Sequence, residues 1–215
     1  MTLVKICGIT DIATASAALA CGADMLGFHV ELNHARNPVT PATVDKIVSQ
    51  LPETCTPVLV TSVTEPEKII ELVVKTGAKA VQLHADRDGI RKIKTALPHL
   101  KLFKVINVFD ESAIAEAKNY EGVADALVLD SGIKANGQQG GTGKTHDWNI
   151  SRRIVESTSL PVILAGGLNP ENVANAVKTV KPYGVDVNSG VSNSDGTKKF
   201  GNVKLFVERA RGTAA

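Results

Sequence analysis

The stretch LPVILAGGLNPENVANAVKTVKPYGVDVNSGV (160–191) holds one complete structural repeat and the start of the next. Residues 160–166 form a short, apolar, β-branched run, the length of a strand buried on both faces. Two glycines follow at once, then Asn169 and Pro170, which are expected to open a helix. Apolar residues then recur at helical spacing until Pro182. A second apolar run, 183–189, ends in another Gly turn. A strand, a crossover helix and a second strand make a parallel, right-handed βαβ unit.

The same grammar extends through the rest of the chain. Comparable runs occur at 3–8, 25–30, 56–62, 79–84, 100–106 and 125–130. Helical segments with end signals separate them. Thr40 is a plausible N-cap with Pro41 at the first helical position. Pro66 opens the next helix, and Gly77 and Gly22 are helix stops. Eight units in 215 residues, with no Gly/Ser/Pro linker, predict one α/β domain over 1–215. A closed (β/α)8 TIM barrel removes the sheet edges and fits the count. A doubly wound open sheet is the alternative and ordinarily has about six strands. Two loops following strands are long, at 29–40 and 131–146. In a barrel, such loops build the active-site face.

Composition excludes other classes. Lys+Arg is 24 and Asp+Glu is 22, a net charge of +2, with 43% hydrophobic and 21% charged residues. There is no basic excess for nucleic acid, and no apolar run approaches the ~18 residues of a membrane span. The N-terminus MTLVKICGIT lacks a signal-peptide layout, so a cytoplasmic location is expected. Cys7, Cys21 and Cys55 show no CxxC spacing, and no HxH or HExxH pattern suggests a metal. GGTGKT (140–145) fails as a Walker loop because Gln138 stands where the first Gly must be.

Polar residues at strand ends carry the candidate chemistry. Cys7 closes the first strand beside Gly8; a thiol there can serve as a base or nucleophile if its pKa falls. Cys21 and Cys55 read as packing. Asp130 closes the sixth strand, where it reads either as a structural cap of the next loop or as an acid whose pKa the barrel mouth raises. Asp186 lies inside the last strand, and His84 ends the fourth and faces the mouth. Arg36, in the second loop, can clamp a carboxylate bidentately. The turns after strands seven and eight are a common phosphate site in barrels, and they imply a phosphorylated small-molecule substrate.

Taken in order, VKICGIT (4–10), GAD (22–24), GF (27–28), Arg36, VQLH (81–84), LVLDS (127–131), GGTGKTHDW (140–148), LAGGLNPENV (164–173) and GVDVNSGV (184–191) resemble the phosphoribosylanthranilate isomerase family of tryptophan biosynthesis. The resemblance implies an Amadori rearrangement of a phosphoribosyl aromatic amine without metal or cofactor. By that mapping Asp130 is the general acid and Cys7 the general base. Arg36 holds the anthranilate carboxylate, and His84 and Asp186 line the mouth. Gly166, Gly167, Ser189 and Gly190 fall in the phosphate turns. The departures are His29, Glu31, His34 and Ala35 in the second loop, and Ser192 after the last strand. They bear on the amine end of the substrate, so an isomerase of a related phosphoribosyl amine and a non-catalytic phosphosugar-binding barrel stay open as alternatives.

Overall fold

The computed structural model describes residues 1–33, 35–132 and 145–212. The expected lid motif GGTGKT, apart from Thr145, and His34 lie outside the described residues. Strands and helices alternate: β1 (Leu3–Cys7), α1 (Ile12–Ala20), β2 (Met25–His29), α2 (Pro41–Val48), β3 (Thr56–Val60), α3 (Pro66–Thr76), β4 (Ala80–Leu83) and α4 (Arg87–Ala96). β5 (Lys101–Asn107), α5 (Ser112–Asn119), β6 (Ala126–Asp130), α6 (Trp148–Ser157), β7 (Val162–Leu164), α7 (Val173–Val180), β8 (Gly184–Val187) and α8 (Phe200–Arg211) complete the series. All neighbouring strands pair in parallel, and β1 pairs with β8, Leu3 with Gly184 through Ile6 with Val187. The sheet is therefore a closed barrel, not the open alternative.

Local chemistry sets the element ends. Thr40 caps α2 by accepting from the Thr43 amide at 3.1 Å, with Pro41 behind it. Asp11, Asp86 and Asp147 cap α1, α4 and α6 in the same way. Gly77 closes α3 in the left-handed conformation. One expectation needs correction. Asn169 and Pro170 do not open α7, which begins at Val173. The Asn169 side chain instead accepts from the Glu171 and Asn172 amides, and Asn172 reaches back to the Gly167 carbonyl. These bonds fold 167–172 into a tight turn before the helix starts.

Strand alternation sorts the core into two shells. Outward residues such as Val4, Ile6, Leu26 and Leu127 pack under the helices. Inward residues Met25, Val58, Ala80, Phe103, Ala126, Val128 and Ile163 fill the lumen. The same alternation carries Cys7, His29, Asn107 and Asp130 to the C-terminal mouth. Gly27 is required there by space: a Cβ on it would lie 2.6 Å from Cys7 Sγ and 3.1 Å from Lys5 Nζ.

Candidate active site

The mouth opens into a cavity of about 580 Å³. Its lining includes Cys7, Arg36, His84, Asp130, Gly166, Gly167, Asp186 and Ser189, so all but one of the residues named from the sequence share one space. The exception is Gly190. It belongs to the single 3₁₀ turn Ser189–Val191 and backs against the Leu168 carbonyl, where any side chain would collide. Its role is to let the β8 turn lie against the β7 turn.

The floor is a polar cluster built by two adjacent strands and their neighbour. Lys5, wholly buried on β1, donates to Asp186 Oδ2 on β8 at 2.9 Å and to Cys7 Sγ at 3.4 Å. Burial alone would push the Lys5 ammonium down, but Asp186 and Cys7 more than offset this and hold its pKa above the ordinary value. Burial pushes the Cys7 thiol up, and Lys5 and Lys198 pull against that without cancelling it. An electropositive surrounding for the thiol is thus present, yet desolvation is the larger effect. His29 Nε2 stands 3.1 Å from Cys7 Sγ. Lys198 is held by Asn188 Oδ1 at 2.8 Å and Ser192 Oγ at 3.0 Å, and burial lowers its pKa to about 8.

Asp130 sits on the cavity wall at the end of β6. Its Oδ1 accepts from the Ser131 amide at 2.6 Å. Burial raises its pKa, the amides of Ser131 and Gly132 and the Lys5 charge oppose, and Asp186 adds to the rise. Behind it, His146 joins Ser131 Oγ at 3.3 Å to Ser151 Oγ at 2.6 Å, which ties the far end of the long sixth loop to this strand end. Gly166 has a φ of 78°, and a Cβ on it would come within 2.9 Å of Asp130 Oδ1. Glycine here meets both the left-handed turn and the close approach to the carboxyl.

Arg36 is exposed on the segment that returns from β2. That segment is anchored at its end by Val39 N donating to the His29 carbonyl at 2.8 Å, and by Asn37 donating to the Gly196 carbonyl at 2.8 Å. His84 is on the open rim. Two buried acceptors, Gln82 Oε1 and Asp186 Oδ1, have no protein partner among the described residues. Both residues line the cavity, where hydroxyl donors of a sugar can reach them.

Sequence reasoning passed over Lys5, Gln82, Asn107 and Lys198, and it placed His29 in the second loop at the amine end of the substrate, whereas His29 closes β2 on the cavity floor against Cys7. Alternation along a strand from a named neighbour, Cys7 back to Lys5 or His84 back to Gln82, was the available signal for Lys5 and Gln82, and none existed for Lys198. That lysine arrives from beyond the last strand, and only the tertiary fold brings it in. The buried ion pair has a testable energetic signature. Lys5→Met should destabilise the fold by about 3–5 kcal/mol, because it leaves Asp186 buried without its cation. A denaturant titration measures this, and adding Asp186→Leu should restore much of the loss. A single-variant cost under about 1 kcal/mol contradicts the pairing energetics.

A closed (β/α)8 barrel with titratable groups gathered on the strand ends of one mouth is the architecture of a barrel enzyme. The family model described as N-(5'phosphoribosyl)anthranilate (PRA) isomerase matches residues 4–209. N-(5'-phosphoribosyl)anthranilate isomerase 2 of Methanosarcina mazei is 43% identical over 211 residues, covering 97% of this chain and 93% of that one. The crystal structure of phosphoribosyl anthranilate isomerase from Thermotoga maritima superposes with a TM-score of 0.86 at 34% identity, covering 99% of this chain and 100% of that one. A further isomerase structure, in complex with reduced 1-(o-carboxyphenylamino)-1-deoxyribulose 5-phosphate, gives a TM-score of 0.83 at 32% identity, with 99% and 100% coverage. The chain belongs to the phosphoribosylanthranilate isomerase family. Among the described residues, no helix is long and apolar enough to cross a membrane.

Proposed function

We propose that this chain converts N-(5'-phosphoribosyl)anthranilate to 1-(o-carboxyphenylamino)-1-deoxyribulose 5-phosphate by general acid–base catalysis at the mouth of β1 and β6. The observation that carries this reading is the placement of Cys7 and Asp130 on one cavity, the carboxyl in surroundings that favour its protonated form. Asp130 gives its proton to the furanose ring oxygen as the C1'–O bond breaks, and the anilino nitrogen supplies the electrons to form a Schiff base. Cys7 as thiolate then removes the proton from C2', and the C2'–H electrons form the enolamine. The enolamine gains a proton at C1' and loses the one on the 2'-hydroxyl oxygen, which yields the ketone.

The remaining residues bind. The turn at Gly166 and Gly167 and the start of the Ser189–Val191 turn offer backbone and hydroxyl to the phosphate. Gln82 and Asp186 accept from sugar hydroxyls, and His84 lies at the rim. Arg36 pairs with the anthranilate carboxylate. A free thiol as base requires a reducing compartment, and the cytoplasm is the one we infer.

The direct test is loss of substrate fluorescence on addition of protein to phosphoribosylanthranilate. Turnover supports the reading, and binding of the phosphosugar without turnover overturns it. Arg36→Ala should raise KM by about 10-fold or more with kcat nearly unchanged, because it removes a charged bond remote from the reacting carbons. A large kcat loss at constant KM would place Arg36 in the chemistry instead.

A further inference from the structure

His29 is a buried group on the cavity floor that the reaction above does not use. It is the third inward position of β2, after Met25 and Gly27, and is 5% exposed. Its Nε2 meets Cys7 Sγ at 3.1 Å, while its Nδ1 is buried with no partner among the described residues. Burial first, then the charges of Lys5 and Lys198, hold the imidazole pKa at about 4 against the opposing pull of Asp186. The ring is therefore neutral near pH 7 and carries one N–H.

The surroundings decide which nitrogen bears that hydrogen. On Nδ1 it would be a buried donor with no acceptor, the rarer and costlier kind of orphan. On Nε2 it points at the sulfur and leaves Nδ1 as a bare lone pair. Sγ then receives hydrogen bonds from two sides, from His29 on β2 and from Lys5 on β1. The other charged groups facing this cluster are Asp186 on β8, bonded to Lys5, and Lys198 beyond β8, bonded to Asn188. Asp130 faces it electrostatically from β6.

We propose that His29 is a positioning residue that donates Nε2–H to Cys7 Sγ and stabilises the thiolate, making the base available at lower pH than burial alone allows. Only the use of that thiolate on C2' rests on the functional reading above; the state of the sulfur does not.

The experiment follows thiolate absorbance near 240 nm against pH in the unliganded full chain carrying Cys21→Ala and Cys55→Ala. Adding His29→Leu should move the Cys7 titration up by about one to two pH units, about 10- to 100-fold less thiolate at a fixed pH. His29→Gln keeps an N–H donor and should recover most of the shift. At a fixed pH below the thiol pKa, kcat/KM should fall by about the same factor. An unchanged or lowered titration in His29→Leu overturns the proposal. Nitrogen-15 NMR of the histidines in the unsubstituted protein tests it without a variant: a protonated Nε2 and bare Nδ1 for His29 support it, and the reverse tautomer overturns it. An upward titration shift without turnover of phosphoribosylanthranilate would sink the functional reading and leave this inference standing.

Discussion

Asp130→Asn should lower kcat by about 10²-fold or more, the usual scale of general acid catalysis, with little change in KM. Asn keeps the shape of the side chain but has no acidic proton to give the ring oxygen. The carboxyl closes β6, faces the lumen by strand alternation, and is fixed on one oxygen by the Ser131 amide. Burial raises its pKa, so it keeps its proton at a pH where an exposed carboxyl has lost it. The sign follows: losing that proton removes the acid, so ionisation of Asp130 opposes activity as pH rises, and the Asn variant loses this dependence. Steady-state rates across pH measure both effects. A kcat within a few-fold of the unsubstituted protein removes Asp130 from the acid's role.

Cys7→Ala should lower kcat by about 10²- to 10⁴-fold, because it removes the group placed to take the proton from C2'. The thiol closes β1 over Gly27, between Lys5 and His29. Its limb runs opposite to that of Asp130, since activity rises with pH as the thiol ionises. The active form needs a protonated carboxyl together with a thiolate, and that form is scarce when the carboxyl pKa lies below the thiol pKa. Burial raises both groups, and Lys5 and Lys198 limit the rise at Cys7, which leaves a larger competent fraction than burial of the thiol alone would. The bell-shaped profile reports the pair rather than either residue. Near-normal turnover in Cys7→Ala would show that another group takes the C2' proton. His29→Leu, by contrast, should lower turnover at a fixed pH without abolishing it.

Much of this site was legible before any coordinates. Cys7, Asp130, Asp186 and the Gly166–Gly167 turn stand out because a barrel places strand ends and following loops around one mouth. Local rules also marked helix ends correctly where a short side chain or a glycine acts alone, as at Thr40, Pro41 and Gly77. They failed at Asn169 and Pro170. There the Asn side chains bond the turn more tightly than helix geometry allows.

The sequence by itself determined the eightfold repeat and the identity of the groups at each strand end, because these depend on periodicity and on residues adjacent in the chain. The tertiary structure alone decided the environment of those groups. Closing β1 against β8 sets Lys5 on Asp186, 181 residues apart. It also buries both and carries Lys198 in beside Asn188. Pairing β2 with β1 sets His29 on Cys7. A thiol's ionisation is governed by its burial and by charges within a few ångströms, and no linear reading contains either.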